Sequence, residues 1–220
     1  MSKIIIFGAG DIAQLAHYYF TKDSEHDVAA FTVDKEFLKE ETFQNLPVVD
    51  FSDIEKKYPP DSYKMFVAIS YAQVNRVRME KYLASKAKGY ELVSYISSRA
   101  TIFDNVKIGD NCFILEDNTI QPFAAIGNNT TLWSGNHIGH HSTIGDHCFI
   151  TSHVVISGGV KVAPLCFIGV NATIRDHITI ARECVIGAGS LIMKDTQERG
   201  VYVTEPAQLT RIPSDKLKKL

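Results

Sequence analysis

Cysteine is scarce in this sequence. The 220 residues hold four, with no CxxC pair, which argues against a zinc knuckle or a thioredoxin-type redox motif. The opening residues, MSKIIIFGAGD, lack the cationic stretch, long apolar run and small-residue cleavage site of a secretory leader. No apolar stretch approaches the ~20 residues of a membrane span. A soluble, cytoplasmic protein is expected. Charge of one sign is also missing: 23 basic against 25 acidic side chains leave −2, without the basic face that nucleic acid requires. What remains is ordinary: 45% hydrophobic and 22% charged residues, in a chain long enough to bury its own core without staples.

The C-terminal half is periodic. Counting by six from Ile96 through Ile138 and Ile156 to Ile192 meets a branched aliphatic at every step, without a slip. Four positions after each comes a second set, mostly Ala, Ser, Thr, Cys or Val, interrupted by Asn118, Asn136 and Ile178. Glycine often follows the aliphatic, as at Gly109, Gly127, Gly139, Gly145, Gly169 and Gly187. A period of six fits neither a helix nor simple strand alternation. It fits a short strand and a bend, repeated, with one large and one small side chain pointing inward. Three units close a coil of 18 residues, so residues 18 apart stack at the strand spacing of roughly 4.8 Å. Cys112, Cys148, Cys166 and Cys184, spaced 36, 18 and 18, then form a ladder of small inward side chains, where free cysteine behaves as a buried hydrophobe.

The N-terminal half reads as βαβ and hence as a parallel sheet. An apolar run at residues 3–7 precedes Gly8-Ala9-Gly10-Asp11-Ile12-Ala13 and a helical stretch to about Thr21. Further apolar runs, Val28–Val33 and Met65–Ile69, end at Asp34 and Ser70, and Val74–Ala87 has helical spacing. A glycine turn at a helix N-terminus lets backbone amides approach a phosphate, and the acid ending the second strand can bond a sugar or base. About 95 residues hold only half of a doubly wound dinucleotide domain, so a nicotinamide-dependent oxidoreductase is disfavoured. A glycine turn serving only close helix packing stays open.

The repeat over about residues 96–197 resembles the hexapeptide-repeat, left-handed parallel β-helix family, whose members are mostly trimeric acyltransferases. Together with the small α/β domain, the chain resembles the sugar O- and N-acyltransferases, typified by sialic acid O-acetyltransferases and by bacterial acetyltransferases of nucleotide-linked 4-amino sugars. The expected organisation is an α/β nucleotide-sugar-binding domain at 1–95, a left-handed β-helix at 96–197 and a tail at 198–220. The resemblance implies that Gly8, Gly10 and Asp11 meet the phosphates of the sugar donor, with Asp34 and Ser70 near its base or ribose.

Six of the eight histidines fall within residues 137–177. His140 occupies an outward corner, and adding 18 reaches Gly158, in a Gly158-Gly159 turn. Acyl transfer from a thioester to an amine needs an imidazole to accept the proton and amides to stabilise the oxyanion. The stretch IGHHSTIGDHCFI resembles the family's catalytic turn, which makes His140 the general base, with His141 where the family often has an acid. His141 and Asn136 are the candidate supporting residues, although Asn118 and Asn136 also suit a structural amide pair. His147, His153 and His177 are read as solvated turn residues. Acetyl-CoA would lie between subunits of a homotrimer, along Gly158, Gly159, Val170 and Ala188, with Lys194 or Arg199 at its phosphates.

The leading expectation is therefore an acetyl-CoA-dependent N-acetyltransferase acting on a nucleotide-linked 4-amino-4,6-dideoxy sugar for surface-glycan assembly, without a metal. O-acetylation of a sugar of the sialic acid type is the alternative. A zinc enzyme of the γ-carbonic-anhydrase type would leave the N-terminal domain without a purpose. A non-catalytic nucleotide-sugar-binding protein would bind sugar tightly without turning over CoA.

Overall fold

The computed structural model describes residues 2–209, 211 and 213–216. The N-terminal sheet is built on β1 (Lys3–Phe7), whose KIIIF run is buried from Ile4 onward. β1 pairs in parallel with β2 (Asp27–Val33) and, further along the chain, with a strand at Lys64–Val67. Helix α1 (Asp11–Lys22) crosses between β1 and β2, burying Ala13, Ala16 and Phe20. Two short strands were not foreseen: β3 (Thr42–Phe43) and β4 (Leu46–Asp50). β4 adds to β2 in parallel, and β3 turns back on β4. The sheet expected to be parallel thus carries an antiparallel edge, made by the tight Gln44-Asn45 turn in which both residues take positive φ. With β5 (Lys64–Val67), the order is β3-β4-β2-β1-β5. Helix α3 (Arg76–Ala87) follows the single-turn α2 (Ile54–Lys57) and β5.

From Tyr95 each hexapeptide contributes a two-residue strand, and each strand pairs in parallel with the one 18 residues away, as in Ile120↔Ile138↔Ile156. The strands form three sheets, the faces of a prism. Face one runs from Tyr95–Ile96 through Phe113–Ile114 and Phe149–Ile150 to Val201–Tyr202. Face two runs from Thr101–Ile102 through His137–Ile138 to Leu191–Ile192. Face three runs from Lys107–Ile108 through Thr143–Ile144 to Thr179–Ile180. The whole is an α/β region followed by a left-handed β-helix. Stacked strands reach past the expected limit at 197. Val201–Tyr202 pairs with Val185–Ile186 sixteen residues earlier rather than eighteen, because the segment between them is two residues shorter than a full coil. Leu217–Leu220, the end of the lysine-rich tail, lies outside the described residues.

The aliphatic set fills the prism: Ile114, Ile120, Leu132, Ile138, Ile150 and Ile156 expose no surface. Each such side chain contributes about 1.5–3 kcal/mol by leaving water. All four cysteines are free and fully buried within this core. Burial pushes the Cys112 thiol up to about 12, so it stays protonated and inert.

The corners follow a second rule. From Asn111 to Gly189 every sixth residue takes positive φ, in the left-handed region, including Asn129, Gly135, His141, His147, His153, Gly159, Asn171 and His177. Asn, Asp and His tolerate that region better than most residues, and Gly best. Four of the clustered histidines therefore hold turn positions.

The N-terminal domain is fastened to face one and to its two bordering corners. Tyr19 of α1 packs on Tyr95 and Phe113 at ring separations of 5.2 and 5.9 Å. Asp23 accepts from the Tyr95 hydroxyl at 2.7 Å and the Ser98 amide at 2.9 Å. Helix α3 lies on the corner between faces three and one: Tyr82 donates to Asp110 at 2.6 Å, and the buried Arg78 donates to the carbonyls of His147 and Cys148 at 3.0 and 2.9 Å. Its guanidinium lies over Phe149, 5.3 Å from the ring centre. Burial lowers Arg78 to about 10, which leaves it a cation at neutral pH.

Candidate active site

Two places collect the candidate residues. The first is a cleft of about 670 Å³ at the carboxyl ends of β1, β2 and β5, the position where open α/β sheets take ligands. Gly8, Gly10, Asp11, Asp34 and Ser70 all line it. Gly8 has φ +128°, and a Cβ there would stand 2.7 Å from the Ala68 carbonyl oxygen, so the tight turn requires glycine. Gly10 is the N-cap of α1 and supplies no side-chain cap, so the first amides of a 12-residue helix open into the cleft, an arrangement suited to phosphate. Asp34 is held by Lys81 of α3, with Oδ2 and Nζ 2.6 Å apart. Lys81 was missed in the sequence, although Val77 and Lys81 stand one turn apart on α3 and both line the cleft. Phe37, Lys39 and Tyr71 line it as well. Tyr71 also packs on Phe149 and Phe167 of face one, at 5.1 and 4.8 Å.

The second place is the corner between faces two and three. His140 is exposed there, and its backbone amide donates to the Gln121 side chain at 2.9 Å. Its imidazole lies over Gly158 of the next coil: a Cβ on Gly158 would stand 2.7 Å from both Cε1 and Nε2. The coil spacing thus brings ring and glycine together. The Gly159 amide donates to the His140 carbonyl at 2.8 Å. The Gly158 amide has no hydrogen-bond partner among the described residues. An imidazole and an amide without a partner among the described residues consequently share one exposed corner, a pair that acyl transfer can use. His141, at φ +59°, places Nδ1 3.1 Å from Nδ1 of His140.

The remaining candidates divide. Asn136 is 1% exposed and turned into the prism, where its amide donates to the Trp133 carbonyl and its oxygen accepts from the Val154 amide at 2.8 Å. The expectation that it supports His140 is corrected: its hydrogen bonds go to the chain's own backbone. Asn118 likewise donates to the Leu115 and Trp133 carbonyls at 2.9 and 2.8 Å. Val170 and Ala188 stack on each other, but at the corner between faces one and two, a full face away from Gly158 and Gly159 in the same chain. Lys194 is exposed and stands on the rung of Asp176, since Leu191–Ile192 pairs with Thr173–Ile174. It lies on the His140 corner, three coils away, or roughly 14 Å. Arg199 instead pairs with Glu183 at 3.2 Å.

His153 and His177 are exposed, as expected of turn residues. His147 is half-buried rather than fully solvated. It packs on Tyr82 at 5.3 Å and bonds Asn129 at 2.9 Å, and burial lowers its pKa. Among the described residues no three His, Cys, Asp or Glu side chains gather as a metal-binding group, and no helix is long and apolar enough to cross a membrane.

Two stretches match known repeat families: residues 123–158 match the bacterial transferase hexapeptide (six repeats), and residues 166–194 match the hexapeptide repeat of succinyl-transferase. No curated protein matches the sequence. Among solved structures, the fold is similar to a histidine mutant of perosamine N-acetyltransferase from Caulobacter crescentus in complex with CoA and GDP-perosamine. That likeness has TM-score 0.81 and 22% identity, covering 91% of this chain and 93% of the other. It is similar also to the acetyltransferase domain of PglB from Neisseria gonorrhoeae, with TM-score 0.78, 17% identity and coverage of 91% and 96%. For WeeI from Acinetobacter baumannii the values are 0.70, 21%, and 94% and 99%. The chain thus carries hexapeptide repeats over residues 123–158 and 166–194, in a left-handed β-helix that follows an α/β domain.

Proposed function

We propose that this protein is an acetyl-CoA-dependent N-acetyltransferase that acylates the 4-amino group of a nucleotide-linked 4-amino-4,6-dideoxy sugar, in surface-glycan assembly. The observation that carries the reading is the His140 imidazole seated on Gly158, beside that glycine's free amide, in a chain that also has a phosphate-suited cleft. The N-acetyltransferases of similar fold support it, one of them in complex with CoA and GDP-perosamine.

In the proposed reaction the sugar amine attacks the thioester carbonyl. As the C–N bond forms, Nε2 of His140 takes the amine proton, which is typically worth about 10² to 10⁴ in rate. The Gly158 amide donates to the oxyanion. The C–S bond then breaks, and the departing thiolate recovers the proton from His140. The α1 N-terminus at Gly10 and Asp11 holds the diphosphate, with Gly8 allowing its approach and Asp34 and Ser70 beside the nucleoside.

The reading requires a second copy of the chain. The contacts that fasten the N-terminal domain go to face one and its two corners, whereas His140 stands at the corner opposite face one. The cleft of one chain therefore serves the His140 of another, in a homotrimer. Its groove would bring the Gly158–Lys194 corner of one protomer against the Val170–Ala188 corner of the next, with acetyl-CoA between them. A thiol-release screen of acetyl-CoA against UDP-, dTDP- and GDP-linked sugars tests the reading, each offered with a 4-amino or a 4-hydroxyl group. Turnover is expected with an amino sugar. Turnover with hydroxyl acceptors alone, or with none, would overturn it.

A further inference from the structure

We infer that His141 is the positioning residue of the His140 base, acting as a neutral hydrogen-bond acceptor that keeps the His140 proton on Nδ1. The inference rests on the reading of His140 as the base. The two Nδ1 atoms are 3.1 Å apart. Two ring nitrogens can bond at that distance only when one carries a proton and the other a lone pair. Nδ1 faces His141, while Nε2 lies with Cε1 over Gly158, so in the proposed reaction the amine proton arrives at Nε2 and the resting proton of His140 belongs on Nδ1. His141 must then offer its Nδ1 lone pair and carry its own proton on Nε2. A free histidine side chain prefers its proton on Nε2, so His141 holds the favoured tautomer and His140 the other, fixed by the partner bond.

The His141 ring is fixed from below rather than by luck of rotamer. Its residue holds the left-handed corner position at φ +59°, and its amide donates to the Pro122 carbonyl at 3.2 Å. One coil beneath, Phe123 lies against the imidazole, with ring centres 4.7 Å apart and planes at 32°. Phe123 is 59% exposed, so it contributes little to the core and serves mainly as a platform. Asp176 and His177, two coils on, lie 3.9 Å from each other rather than against either ring. No carboxylate bonds His140 among the described residues. After proton transfer the imidazolium keeps its Nδ1–H on His141, so the acceptor holds the ring in place through the reaction.

Phenylalanine fits this position, as Phe123 occupies its equivalent one coil below, and asparagine does so at Asn129 and Asn171. In thiol-release kinetics His141→Phe is expected to lower kcat about tenfold or more while both KM values hold, part of the range a general base supplies. His141→Asn, whose amide oxygen can accept, is expected to restore most of the loss. Nitrogen-15 NMR at mildly alkaline pH should show His140 protonated on Nδ1 in the parent protein and in His141→Asn, and shifted toward Nε2 in His141→Phe. Undiminished kcat in His141→Phe, or a parent His140 protonated on Nε2, would overturn the inference. Undiminished turnover in His140→Asn would overturn the base reading instead.

Discussion

The chemistry proposed for His140 depends on what its neighbour lacks. Gly158 is not in the left-handed region, so alanine suits its backbone, but the added Cβ would meet the His140 ring at 2.7 Å. The ring is the free end of a side chain and can swing away. Gly158→Ala is expected to fold with an unchanged melting temperature and to lose kcat, as measured by thiol release alongside a thermal melt. His140→Asn should cut kcat by about 10² to 10⁴ with little change in KM. The stacking of His140 on Gly158 was legible in the sequence, because an unbroken period of six fixes which residues lie 18 apart. The meaning of the histidine cluster was less so. A left-handed residue at every sixth position was visible as a recurrence of Asn, Asp, Gly and His, and it accounts for His141, His147, His153 and His177 as turn residues. Asn136 misled for another reason: closeness in sequence to His140 says nothing of direction, and the corner turns one side chain inward and the other outward.

At the scale of elements, the α1 N-terminus and the joint between domains each carry a prediction. The space around a Cβ on Gly10 is open, so Gly10→Glu should fold, while its carboxylate repels a diphosphate at the helix end. The expected outcome is a rise of about tenfold or more in KM for the nucleotide sugar, which corresponds to ~1.4 kcal/mol of binding, with KM for acetyl-CoA unmoved. Asp23 fastens α1 to the first coil. Its hydrogen bonds from Ser98 and Tyr95 lower its carboxyl from 3.8 to about 2. A carboxyl depressed by folding contributes stability above its unfolded value, and that contribution is lost as pH falls through the folded one. Denaturation midpoints should therefore drop between about pH 4 and 2, and Asp23→Asn should be less stable at neutral pH with a flatter acid dependence. The strands, α1 and α3 followed from hydrophobic runs and glycine turns. The β3–β4 hairpin did not, since β3 is two residues long and its partner strand includes Pro47. The face that the domain covers carries Phe113, Phe149 and Phe167, spaced 36 and 18 with Thr131 on the rung between, an interrupted aromatic stripe that the domain packs against. Lys81 stayed hidden because its place beside Asp34 is set by how α3 packs, which no local pattern specifies.

At the scale of the whole molecule, one chain holds the parts of the proposed site on opposite sides of a prism. Cleft and face-one contacts stand on one side, and His140 with Gly158 stands at the far corner. The proposed reaction therefore needs a symmetric assembly, in which the cleft of each protomer meets the corner of its neighbour. Sedimentation equilibrium should give three times the chain mass of 24.5 kDa. Complementation shows whether cleft and base come from different chains: His140→Ala and Gly10→Glu chains, each impaired alone, are co-expressed and assayed for thiol release at a limiting nucleotide-sugar concentration. Mixed assemblies are expected to recover a substantial part of the parent rate, because an intact cleft on one chain faces an intact His140 on another. Activity no higher than the sum of the two variants, in assemblies shown to be mixed, would contradict that arrangement.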